Sequence, residues 1–166
     1  KAVVAGGSSV PVLPAHLILK TAAGEPRLMT YESLADGGFA TGTMLGSGGF
    51  IVMDEDTSVV KNLWTFAHFY HHERCGQCSP CREGTGWMYR ILNKILNGKG
   101  EMKDIDLLWN IQGNIEGKTI CPLGDAAAWP VASSIRHFRS EFEAYINNHG
   151  MKDVKHYYRL NNLQEA

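Results

Sequence analysis

Apolar residues recur at helical spacing over four stretches of the chain, all of them after residue 57. Val59, Val60, Leu63, Trp64, Phe66, Ala67 and Tyr70 share one face and predict a first helix, with Asp56, Thr57 or Ser58 as its cap. Met88, Ile91, Leu92 and Ile95 predict a second, starting near Pro80 or Cys81 and stopping at Asn97-Gly98. Ile105, Leu108, Trp109, Ile111 and Ile115 give a third, over 103–115, a broad apolar face that reads as mostly enclosed. Asp104 or Asp106 sits in its first turn, and Gly117 ends it. Val131, Ile135, Phe138, Phe142 and Tyr145/Ile146 form an unbroken stripe for a last helix, with Pro130 at an early position. Amphipathic helices joined by short links predict an antiparallel four-helix bundle.

Residues 1–57 follow another pattern. Ala2–Ala5, His16–Lys20 and Phe50–Met53 read as short strands, and Tyr31–Ala35 as one helical turn. Gly6-Gly7-Ser8-Ser9 and Gly46-Ser47-Gly48-Gly49 lack the spacing of a dinucleotide or phosphate loop and read as tight turns. The polar stretch 54–58 marks a boundary. Three regions result: a β-rich 1–57, a helical 58–147 and a tail, 148–166. In the tail, Lys152, Lys155, His156, Tyr157, Tyr158 and Arg159 form a basic, aromatic set, read as a chain terminus in preference to a binding surface. The chain opens on an apolar strand with no initiator methionine, Lys1-Ala2-Val3-Val4-Ala5, and is expected to be a piece of a longer protein.

With 166 residues, 44% of them hydrophobic, the chain can bury a sizeable core. A net charge of −1 argues against nucleic acid or an anionic membrane as the main partner. No apolar run approaches the roughly 18 residues of a membrane span.

The candidate chemistry lies in the four cysteines. Cys75, Cys78 and Cys81 are spaced C-x2-C-x2-C, and the distant Cys121 is followed by Pro122. A cubane iron–sulfur cluster needs four thiolates at the corners of a tetrahedron. A tight loop can wrap three corners, and a remote Cys-Pro cysteine can close the fourth. Gly76 lets the loop pass close to the cluster, and Pro80 prepares the helix start, whose N–H groups favour a negatively charged group. Cys75, Cys78, Cys81 and Cys121 are therefore read as ligands of one [4Fe–4S] cluster. Structural zinc is the alternative; it usually takes two separate cysteine pairs, although His71 and His72 could serve as spare ligands. A redox pair would leave two cysteines unexplained, and disulfides suit smaller secreted scaffolds. Thiolates kept free for metal suggest a reducing compartment.

The run Glu73–Gly84, then Ile115–Cys121, Gly124–Val131 and Arg136-His137-Phe138, strongly resembles the NADH-binding flavoprotein subunit of respiratory complex I, the F-type subunit of the bacterial enzyme. Gly6–Pro11 and Met44–Gly49 resemble its soluble-ligand-binding β-grasp domain. The resemblance spans about residues 1–147. It implies an α+β, mainly α chain: a partial β-grasp segment, then the helical domain with the iron–sulfur site at one end. It implies electron transfer from FMN, reduced by NADH, through the [4Fe–4S] cluster toward quinone. It implies that FMN and NAD bind outside this stretch, so that this chain alone should not oxidise NADH. The implied partners are other subunits of the complex I peripheral arm, including a thioredoxin-like [2Fe–2S] subunit, with no nucleic acid and no direct membrane insertion. The implied location is the cytoplasmic face of the bacterial inner membrane, or the matrix side in mitochondria. The same module occurs in NAD-linked hydrogenases and formate dehydrogenases. One departure is Arg74, where serine is common in the family; a cation there would raise the cluster potential slightly.

Overall fold

The protein is described from a computed structural model, covering residues 1–21, 23–36 and 42–150. It is mainly helical, with one small antiparallel sheet. Strand β1 (Ala2–Ala5) lies between β2 (Leu13–Pro14) and β3 (Phe50–Met53). Ala2 faces Pro14 on one side and Met53 on the other; Ala5 pairs with Phe50. The sheet has a dry face and a wet one, as a period of two requires. Met53 is buried, whereas Phe50 and Val52 are exposed.

The second strand falls earlier than the sequence suggests. Residues 10–14 are all buried, and pairing occurs at Leu13–Pro14. The chain then turns, with Leu17 N–H donating to Pro14 O at 3.0 Å. His16, Leu17 and Ile18 stay exposed, and Lys20 makes only an isolated bridge to Pro26. The glycine clusters are indeed turns, and they interlock. Gly6 and Gly7 N–H both donate to Gly49 O at 2.8 Å, and Ser47 N–H donates to Gly6 O at 2.9 Å. A Cβ on Gly46 would stand 2.1 Å from Gly6 O, so the two turns fit only without side chains.

The first helix, α1 (Tyr31–Asp36), is short. Helix α2 (Val59–Glu73) is capped by Ser58, whose Oγ accepts from Lys61 N–H at 3.1 Å. Helix α3 (Ser79–Leu96) stops where Gly98 takes φ +71°. Helix α4 (Met102–Ile115) opens with buried Asp104 accepting from Glu101 N–H at 2.7 Å, while Asp104 N–H donates to Glu101 O at 2.8 Å. Helix α5 (Leu123–Asn147) differs from expectation at two points. It begins at Leu123, so Pro130 lies well inside it and removes the N–H that would reach Ala126 O. It also breaks at Phe138 (φ −131°, ψ 28°), so the expected unbroken stripe runs over two helical segments.

Helix α2 packs on α3 and α5, α3 on α4 and α5, and α4 on α5. A single core joins Ala2, Val4 and Met53 of the sheet to Leu63, Met88, Leu92, Ile105, Leu108 and Phe142 of the helices. Each of the larger side chains contributes about 1.5–3 kcal/mol by leaving water. Helix α4 is less enclosed than its pattern suggests, because Leu107 and Trp109 remain 46% and 41% exposed. The basic, aromatic set from Lys152 to Arg159 lies outside the described residues.

Candidate metal centre

The cysteine loop joins α2 to α3. Arg74 leaves the helix at φ −63°, ψ 141°, while its N–H still reaches Tyr70 O at 3.2 Å. Its guanidinium donates to His71 O through Nη1 and to Arg82 O through Nε, the latter at 3.0 Å. The last turn of α2 is thereby tied to the first turn of α3. Gly76 takes φ +77°, a region where side chains are strained. Its constraint is conformational, since a Cβ there would meet nothing closer than Arg82 Cδ at 3.8 Å.

Cys78 is the N-cap of α3, and its side chain makes no capping hydrogen bond. Cys81 follows in the first turn, where Thr85 Oγ1 donates to its carbonyl at 2.9 Å. Cys121 lies directly before Pro122, the N-cap of α5. Its carbonyl accepts from Thr119 Oγ1 at 2.8 Å. The segment carrying it is closed by Asp125 Oδ1, which accepts from Gly117 N–H at 2.6 Å, and by Trp129 Nε1, which donates to Glu116 Oε1 at 2.8 Å. A Cβ on Gly124 would meet Thr119 at 2.4 Å, so the helix start sits hard against this segment.

All four thiols are free; Cys81 is buried, Cys78 half-buried, and Cys75 and Cys121 exposed. They lie within electrostatic range of Cys81. Burial pushes its thiol pKa up, the fields of Cys78 and Cys121 push further, Arg74 opposes them, and Cys75 adds a last contribution. Cys78 caps α3 and Cys121 precedes the N-cap of α5, so both lie at helix N-termini. Unpaired N–H groups and the positive dipole ends make such positions favourable for negative charge. Among the described residues, no three His, Cys, Asp or Glu side chains gather closely enough to hold a single metal ion.

Of the histidines considered as spare ligands, His72 is engaged, whereas the buried Nδ1 of His71 has no hydrogen-bond partner among the described residues. His72 pairs with Glu73 at 2.8 Å. His71 stacks on Tyr89, with ring centroids 5.6 Å apart and 12° between planes. Burial, then the cations Arg74 and Arg90, lower its pKa. Its ring lies against Gly86, where a Cβ would stand 3.0 Å from Cε1.

Two features escape a reading of the sequence. Pro122-Leu123-Gly124 looks like a connector, yet it starts α5; the signal is Asp125 followed by three alanines, an acidic first turn and strong helix formers. Arg82 looks like half of a surface ion pair with Glu83, and that pair exists at 3.1 Å. The same guanidinium also reaches the carbonyls of Gly76 and Gln77, at 3.0 and 3.4 Å.

Residues 61–145 match the model of the NADH-ubiquinone oxidoreductase-F iron-sulfur binding region. Over 151 residues the chain is 47% identical to the F-type subunit of NADH-quinone oxidoreductase from Rickettsia massiliae (strain Mtu5), covering 91% of this chain and 33% of the relative. It is 43% identical over 155 residues to an F-type subunit of the same enzyme from Rhizobium meliloti (strain 1021), covering 93% and 33%. The chain thus spans about a third of the length of these curated relatives. Among solved structures, a NAD+-reducing [NiFe]-hydrogenase in the H2-reduced state superposes with a TM-score of 0.70 at 30% identity, covering 87% of this chain and 23% of that one.

Proposed function

The chain belongs to the NADH-ubiquinone oxidoreductase-F iron-sulfur binding family, and from that premise we propose that it is the electron-relay part of an F-type subunit of NADH:quinone oxidoreductase. The observation that carries this reading is the placement of Cys78 and Cys81 at the start of α3 and of Cys121 just before α5, in a chain whose residues 61–145 match an iron-sulfur binding region. Cys75, Cys78, Cys81 and Cys121 would hold a [4Fe–4S] cluster at one end of a bundle built from α2 to α5. The donor set fits: four free thiols, two helix N-termini and the cation of Arg74 suit a thiolate-bound group of net negative charge. When bound, the cluster supplies one-electron oxidation and reduction. The residues of the chain orient it, keep the Cys81 side dry, and offset its charge through the helix ends and Arg74.

In this proposal residues 1–57 form a partial β-grasp segment, 58–147 the cluster-binding domain and 148–166 a tail. NADH and FMN bind in the part of the subunit outside this chain, so the chain alone passes electrons without oxidising NADH. Its partners are other subunits of a peripheral arm, among them a thioredoxin-like [2Fe–2S] subunit, at the cytoplasmic membrane face or on the mitochondrial matrix side. Among the described residues, no helix is long and apolar enough to cross a membrane.

The likeness to a NAD+-reducing hydrogenase supports a second reading, the equivalent subunit of an NAD-linked hydrogenase, with the same cluster and another electron partner. A zinc staple is disfavoured by the cysteine spacing, since structural zinc usually takes two separate cysteine pairs. Metal analysis of protein purified without oxygen tests the cluster. About four iron and four sulfide per chain support it. Stoichiometric zinc that persists through iron–sulfur reconstitution overturns it.

A further inference from the structure

We infer that Arg82 is a positioning residue that fixes the peptide planes between Cys75 and Cys78, and through them the reduction potential of the group the cysteines hold. This rests on the cluster reading above. As an exposed ion-pair partner of Glu83, Arg82 would contribute little. Its other bonds point to a different role. Nη1 donates to Gly76 O at 3.0 Å and Gln77 O at 3.4 Å, and Nη2 donates to Ser79 Oγ at 3.2 Å. The backbone of Arg82 is itself held, its N–H by Cys78 O at 2.9 Å and its carbonyl by Arg74 Nε at 3.0 Å. The guanidinium is therefore a fork on a fixed base, set against two successive carbonyls of the cysteine loop.

The described peptides are all trans, and a trans peptide is planar with its C=O and N–H opposed. Holding Gly76 O toward the guanidinium turns the N–H of Gln77 the other way. Holding Gln77 O turns the N–H of Cys78 the other way. Among the described residues, neither N–H meets a protein acceptor. Two unused donors thus stand on the side of the loop opposite Arg82. Hydrogen bonds to cluster sulfurs are one of the settings of an iron–sulfur potential, and they favour the more negative, reduced state. Gly76, at φ +77°, gives the loop backbone a freedom that an external clamp must remove.

The test compares midpoint potentials of anaerobically reconstituted wild type, Arg82→Lys and Arg82→Gln, with iron and sulfide counted in each. Wild type is measured first; its failure to bind iron and sulfide would defeat the cluster reading itself, before any variant is made. Lysine keeps the charge and loses the fork, whereas glutamine loses both. The expected result is a lower potential in both variants at wild-type cluster content. Unchanged potentials in both overturn the inference. So does a lower potential in Arg82→Gln alone, which would make charge the cause. If neither variant assembles a cluster, Ser79→Ala decides, since it removes one anchor of the guanidinium. A shift in the same direction supports the clamp, and no shift overturns it.

Discussion

Gly84 and Ile115 touch so closely that a Cβ on Gly84 would stand 2.6 Å from Ile115 Cδ1. The contact joins α3, one turn after Cys81, to the last residue of α4. The end of α4 in turn sets where the segment to Cys121 begins. The absent side chain thus brings the two cysteine-bearing parts of the chain together.

Gly84→Ala tests this contact. Alanine is the better helix former by about 1 kcal/mol, but overpacking a tight contact costs about 1–3 kcal/mol. A net loss of about 1 kcal/mol is expected in denaturant unfolding. A stabilised variant would mean that Ile115 yields freely.

Glu141 is the buried charge whose removal should cost most. Its Oε1 accepts from Ser58 Oγ at 3.0 Å and from Val60 N–H at 3.3 Å, and its Oε2 lies 3.1 Å from Lys1 Nζ. Oε2 and Lys1 Nζ form an ion pair that is largely out of water. The carboxylate still caps α2 from α5. Glu141→Ala leaves buried donors unpaired and should cost about 3–5 kcal/mol in urea unfolding. Glu141→Gln should cost less. Equal costs would show that charge, and not capping, sets the effect.

Acid should weaken the α3–α4 corner. Hydrogen bonds from Lys103 and Lys94 hold the Glu101 pKa down to about 2, from an ordinary value of 4.5. A carboxylate with a depressed folded pKa adds stability above its unfolded value, and that contribution is lost as pH falls through the folded value. Part of the thermal stability should therefore disappear between about pH 4.5 and pH 2. The Tm profile of Glu101→Gln should be flatter across that window. An unchanged profile would remove Glu101 as a cause.

Cys121→Ala should lose or degrade the cluster and loosen the start of α5. Iron content and Tm should fall together. A variant with full iron and sulfide and an unchanged Tm would remove Cys121 from the ligand set.

Much of this architecture was legible as periodicity. The apolar faces of α2 and α3 and the stop at Gly98 follow from spacing and from the needs of a helix end. The cysteine spacing pointed to an iron–sulfur group, the kind in the description of the family that residues 61–145 match. What stayed hidden were interactions with no period. Arg82 reaches loop carbonyls, and Asp125 reaches back to Gly117 N–H; such bonds leave no repeat in a sequence. Gly84 and Gly86 carry no sign in the sequence of the close contacts they make with Ile115 and His71. The break at Phe138 falls on a residue that continues the apolar stripe, so the pattern conceals it. The start of α5 was masked by Pro122 and Gly124, which suggest a loop.

The most direct measurement is the EPR spectrum of the anaerobically purified chain after dithionite reduction. A fast-relaxing reduced-cluster signal integrating to about one spin per chain, lost in Cys121→Ala, is the result expected of a four-cysteine [4Fe–4S] site. A wild-type chain that stays EPR-silent after reconstitution, with zinc bound in place of iron and sulfide, would contradict it.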